Sequence, residues 1–136
     1  VSFRVEQLRA LARAIDAHEK DLLDALHADL RKPALEAYAA ETGFVQTDIS
    51  YALRHISKWA RPQRRRIPAA AWPGRGYVYP EPYGVALIVA PWNYPFQLLF
   101  SPLVGAMAAG NCACLKPSEM APATSAANGE RPTIIS

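Results

Sequence analysis

"VALIVAPWNYPFQLLFSPLVGAMAAGNCACLKPSE", Val85 to Glu119, is the stretch on which the fold turns. Val85 to Ala90 is an aliphatic run that predicts a strand buried on both faces. It stops at Pro91-Trp92-Asn93-Tyr94-Pro95, a turn that sets one amide side chain between two prolines. Pro95 can open a helix at its first turn, and Gly110-Asn111 offers a C-terminal cap. Pro102, between them, predicts a break or kink near Ser101. "CACLKP" reads as a second buried strand. Strand, helix and strand of these lengths form a βαβ unit, so the fold class is α/β with a parallel sheet.

No charged residue occurs from Pro82 to Leu115, a length that could span a bilayer. Pro91, Pro95, Pro102, Gly105, Gly110, Asn93 and Asn111 interrupt it, so a buried unit is expected and no stable membrane span.

Upstream, Leu8, Leu11, Ile15, Leu22, Leu26 and Leu30 form one apolar stripe, which predicts a helix over 3–30. "RKP" at 31–33 stops it, with Pro33 placed to begin a second helix. Ala37, Glu41, Phe44, Val45, Ile49, Ala52, Leu53, Ile56 and Trp59 keep the helical period to about Trp59. Gly43 weakens that helix by about 1 kcal/mol against Ala. The expected layout is a helical pair over 1–60, a Pro/Arg-rich arm over 61–82, the βαβ part over 83–126, and a divergent tail over 127–136. In the arm, "YVYPEP" predicts a short strand that Pro80 and Pro82 end or confine to an edge.

At 136 residues, 51% hydrophobic and 20% charged, the composition is that of one ordinary globular domain. Arg61, Arg64, Arg65, Arg66 and Arg75 are clustered, but the net charge is only +3 and no nucleic-acid motif accompanies them. A solvated loop or subunit-contact arm is expected, with no nucleic-acid partner. Cys112 and Cys114 build no disulfide framework, which fits a cytoplasmic protein. They alternate along a strand, no His stands near to activate a thiolate, and no metal set accompanies them. Both are expected to be small buried hydrophobes.

In an open parallel sheet, ligands bind beyond the carboxyl ends of the strands. Asn93 follows the first strand, and Lys116, Ser118 and Glu119 follow the second. An amide, an ammonium and a carboxylate at one rim suit a hydroxylated ligand. A rigid neutral donor such as Asn93 also suits a developing oxyanion; the alternative is a turn residue that satisfies its own backbone. The turn "APWNYP" has no glycine, so a dinucleotide's pyrophosphate cannot use this helix as it does with G-x-G-x-x-G.

Glu81 to Ala126, "EPYGVALIVAPWNYPFQLLFSPLVGAMAAGNCACLKPSEMAPATSA", resembles the aldehyde dehydrogenase superfamily, in its class 3, fatty-aldehyde-dehydrogenase-like branch. "DLRKPALEAYAAETGFVQTDISYALRHISKWARPQ", Asp29 to Gln63, is similar to the same branch. The resemblance implies oxidation of an aldehyde to a carboxylic acid with NAD or NADP, by a homo-oligomer, expected to be a dimer. It implies that Asn93 is catalytic, donating its amide to the thiohemiacetal oxyanion. Lys116 and Glu119 would contact the adenosine ribose, with Ser118 beside them, and Ala90, Pro91 and Trp92 would line the cofactor cleft. No metal is implied.

The family's nucleophilic cysteine and general-base glutamate lie far beyond this stretch. The start, "VSFRVEQL", lacks a Met and predicts a trimmed N-terminus. The polar tail "ANGERPTIIS" departs from the family pattern, which predicts a truncation or a shifted frame. A sheet ended there would expose an apolar edge and face, and the chain would need a partner. Two functions are open: a catalytic segment inactive alone, or a non-catalytic interaction module.

Overall fold

The computed structural model describes residues 1–128 and 133–135, the last three by backbone only. The apolar stripe near the start is continuous, but it is carried by two helices, α1 (Ser2–Ala17) and α2 (Glu19–Leu30). The expected single helix is interrupted at His18, whose φ of −110° and ψ of 10° leave the helical region. Glu19 and Asp21 lie in the first turn of α2, where carboxylates favour a new helix start. Leu8, Ile15, Leu22 and Leu26 are buried across the break.

Arg31 ends α2 in the left-handed conformation, and Pro33 precedes α3 (Ala34–Ala37). A π-helical turn over Tyr38–Thr42 follows, then α4 (Gly43–Trp59). Gly43 has a steric reason here: a Cβ on it would meet the Tyr38 carbonyl oxygen at 2.9 Å. The widened turn therefore needs the glycine that helix propensity alone disfavours. Val45, Ile49, Ala52 and Ile56 face inward, whereas Phe44 and Trp59, expected on the apolar stripe, are exposed.

The arginine-rich arm forms a small antiparallel ribbon of β1 (Gln63–Arg65) and β2 (Gly76–Val78). The second strand falls within one residue of the expected start; the first was hidden by its arginines. Among its strand residues all but the partly covered Gly76 are exposed.

The expected βαβ unit is present. β3 (Val85–Val89) pairs in parallel with β4 (Cys112–Lys116), and α5 (Gln97–Ala109) connects them. Gly110 caps α5 at φ 92°, as the sequence predicts. Pro102 does not break the helix. It costs about 3 kcal/mol in a free helix, but α5 is held on two sides and Ser101 hydrogen-bonds Asp48 of α4. Leu99, Leu103, Val104, Met107 and Ala108 join α1, α2 and α4 on one side and Ile88, Ala113 and Leu115 on the other. Each fully buried aliphatic contributes about 1.5–3 kcal/mol, so this apolar helix is the centre of the core.

The strands are not buried on both faces. Val85, Leu87 and Val89 are 64–69% exposed, and Cys112 and Cys114 beside them are only partly covered. A parallel register of Val85 with Cys112, Leu87 with Cys114 and Val89 with Lys116 sets all six residues on one face. The cysteines are therefore not the fully buried hydrophobes expected. β5 (Thr133–Ile135) adds an antiparallel strand on the other side of β4, where the sequence suggested only a tail. Finally, α6 (Pro122–Ala127) is pinned to α2 by Asp29, whose carboxylate accepts from the Ala123 and Thr124 amides at 3.0 and 2.7 Å.

Candidate functional site

The parallel pairing ends where the polar residues begin. The Ala90 amide donates to the Lys116 carbonyl at 3.0 Å, which aligns the carboxyl ends of β3 and β4. Residues leaving both strands emerge on one rim. Ala90 is buried, whereas Pro91, Trp92, Asn93 and Tyr94 form an exposed turn that re-enters the core at Pro95 and Phe96.

Two side chains from the N-terminal helical region, one in the link after α2 and one in the π-helical turn, hold that turn. Glu41 lies in the π-helical turn and has no exposure. One of its oxygens accepts from the Phe96 and Gln97 amides at 3.1 and 2.8 Å. The other accepts from Lys32 Nζ at 2.5 Å. Lys32 also donates to the Asn93 carbonyl at 3.0 Å, and its ammonium stands 3.9 Å from the centre of the Tyr94 ring. Both charges are thus neutralised and hydrogen-bonded, which burial demands. Asn93 itself makes no side-chain hydrogen bond among the described residues, so its amide is free to act outward. The alternative of a residue satisfying its own turn does not match that geometry.

Sequence reasoning missed Lys32 and Glu41 as site residues. One signal was present: Glu41 falls on the apolar stripe of its helix, where a carboxylate requires a buried partner.

The second half of the rim follows β4. Lys116 Nζ donates to Glu119 at 2.8 Å and to the Pro117 carbonyl at 3.3 Å. The Ser118 hydroxyl accepts from the Met120 amide at 3.3 Å, leaving its own proton available. The hydrogen bond from Lys116, and then its charge, lower the Glu119 carboxyl below its ordinary 4.5. Lys116 and Glu119 are 43% and 87% exposed, so both can turn to a ligand. A cation and a carboxylate side by side match a ribose diol, which donates to one and accepts from the other.

A pyrophosphate has no comparable place at the start of α5. The first amides of a helix attract anions, but here the Glu41 carboxylate already takes those of Phe96 and Gln97. The missing glycines and this occupied N-terminus point the same way. Cys112 and Cys114 lie along the open sheet face, before the rim is reached. Among the described residues no group of His, Cys, Asp or Glu is arranged to hold a metal. No helix there is long and apolar enough to cross a membrane.

The Aldehyde dehydrogenase family model matches residues 1–130. The 4,4'-diaponeurosporen-aldehyde dehydrogenase of Staphylococcus aureus is 48% identical over 90% of this chain and 27% of its own. The dimeric NADP-preferring aldehyde dehydrogenase of Canis lupus familiaris is 42% identical over 88% of this chain and 26% of its own. Members of aldehyde dehydrogenase family 3 from Arabidopsis thaliana and Homo sapiens are also among the relatives, which matches the class 3 branch. The substrate-bound structure of Staphylococcus aureus AldH superposes with a TM-score of 0.93 at 45% identity, over 96% of this chain and 28% of that one. The chain spans about a quarter of the length of the curated relatives it matches.

Proposed function

This chain belongs to the aldehyde dehydrogenase family, and on that premise we propose that it supplies one side of the active cleft of an enzyme that oxidises aldehydes to carboxylic acids. Asn93 is the catalytic residue in this reading. When a thiolate adds to an aldehyde carbon, the carbonyl π electrons move onto oxygen, and the Asn93 NH₂ donates to that oxyanion. The nucleophile comes from outside these residues, because Cys112 and Cys114 lie on the sheet face. NAD or NADP, when bound, supplies the two-electron oxidant. Lys116 and Glu119 hold its adenosine ribose, Ser118 adds a donor, and Ala90, Pro91 and Trp92 line the cleft wall.

The observation that supports the reading is the Ala90–Lys116 hydrogen bond, which aligns the strand ends that lead to Asn93 and to Lys116, Ser118 and Glu119. The canine relative's name supports an NADP-using dimer. The test is a chimera in which residues 1–126 replace the matching segment of the Staphylococcus aureus relative. Asn93→Ala in that chimera is expected to lower kcat about 10²–10³-fold. Turnover unchanged by the substitution would reject the role.

The exposed Val85, Leu87 and Val89 favour a second reading, in which the chain acts only by association through that face. The two separate on melting temperature: NAD or NADP raises it under the first and leaves it unmoved under the second.

A further inference from the structure

Among the described residues the Asn93 side chain makes no hydrogen bond, so what fixes the point from which its amide projects, the Cα–Cβ direction, is its backbone. Pro91 and Pro95 fix φ at two points of the turn, and Ala90 and Tyr94 are restricted because each precedes a proline. The torsions of Trp92 and Asn93 have no such restraint. The peptide plane joining Asn93 to Tyr94 is the hinge that would swing the amide, and its carbonyl is the atom that Lys32 Nζ holds at 3.0 Å. The same ammonium covers the Tyr94 ring. Glu41 locks the far side through the Phe96 and Gln97 amides.

We infer that Lys32 and Glu41 are positioning residues that preset the Asn93 amide, transmitting rigidity from the helical layer to the rim. The inference deepens the oxyanion reading and takes its functional meaning from it. A donor that stabilises a transition state must be in place beforehand, and a misplacement of about 1 Å can lower a rate about 10²-fold. Among the described residues the Lys32 ammonium meets Glu41, the Asn93 carbonyl and the Tyr94 ring, and the Glu41 carboxylate meets Lys32 and two backbone amides, so both act through the turn. Ordinary packing would be served by apolar residues of the same volume, since a buried ion pair adds little to stability over such a replacement. What apolar residues cannot supply is a donor to the Asn93 carbonyl.

Nitrogen-15 relaxation on this 136-residue chain tests the pair directly. In the native chain the Asn93 and Tyr94 backbone amides are expected to show rigid order parameters of about 0.85. In Lys32→Met they are expected to fall below about 0.6, with the Asn93 side-chain NH₂ following. The amides of Ile49 and Leu103, in the core, keep their native values. Lys32→Arg keeps a donor for the carbonyl and restores most of the order. Where Lys32→Met alone unfolds the chain, Lys32→Met with Glu41→Gln carries the same test, because no unpaired charge stays buried and an acceptor remains for Phe96 and Gln97. Unchanged order at Asn93, or a loss spread evenly through the core, would overturn the inference. Relaxation reports on the pair alone and Asn93→Ala in the chimera on the oxyanion role alone, so failure of one is told apart from failure of the other.

Discussion

Two lysine–glutamate pairs frame the rim, and they differ in almost everything but composition. Lys32 and Glu41 come from α2's end and the π-helical turn, and their side chains are 9% and 0% exposed. Lys116 and Glu119 are three residues apart beyond β4 and are 43% and 87% exposed. The buried pair has committed its hydrogen-bonding capacity to the Asn93 turn and the start of α5. The open pair holds only itself and a neighbouring carbonyl. Burial decides the role: removing one buried charge leaves the other stranded, whereas an exposed pair exchanges partners at little cost. The first is suited to hold a site and the second to meet a ligand.

The sharpest way to break this comparison is Glu41→Leu. It strands the Lys32 ammonium and takes the acceptor from two amides, and urea unfolding is expected to show a loss of about 3–5 kcal/mol. Adding Lys32→Met to Glu41→Leu should recover the part due to the stranded ammonium, but not the part due to the Phe96 and Gln97 amides left without an acceptor, while Asn93 stays mobile. Glu119→Gln, by contrast, should leave the urea midpoint unmoved; a large shift would erase the distinction between the pairs.

Next in size is the response to cofactor. At about 100 times Kd, NAD or NADP should stabilise the native chain by about 2.7 kcal/mol, seen as a rise in Tm. Lys116→Ala should abolish most of the rise without changing Tm in the absence of ligand.

The smallest effect is in pH. Glu119 has its folded-state value depressed below 4.5 by the Lys116 hydrogen bond and charge. Its contribution is therefore fully present above 4.5 and fades as pH falls through the depressed value. A carbon-13 carboxyl titration should place Glu119 below 4.5 in the native chain and return it to the ordinary value in Lys116→Ala.

The βαβ unit was legible because periodicity, two prolines and Gly110 all mark it. The neighbouring ends of β3 and β4 were legible because a βαβ unit makes its two strands parallel. The break at His18 was not, since the stripe runs through it and no Gly or Pro announces it. Pro102 does not break α5 because a breaker's cost is outweighed when a helix packs on two sides. The strands looked doubly buried because an aliphatic run does not disclose which face has a cover. Lys32 stood beside Pro33 in a stretch that reads as a helix stop, and only Glu41's place on an apolar stripe hinted at the pair.

In the proposed function, Asn93 and Lys116 look into one cleft. Titrating NAD or NADP into nitrogen-15-labelled chain and following the Asn93 side-chain NH₂ together with the Lys116 and Glu119 amides tests it most directly. All three signals are expected to shift along one binding curve with a single Kd. Shifts at Lys116 and Glu119 with Asn93 unmoved at saturation, or no shift at either, would contradict it.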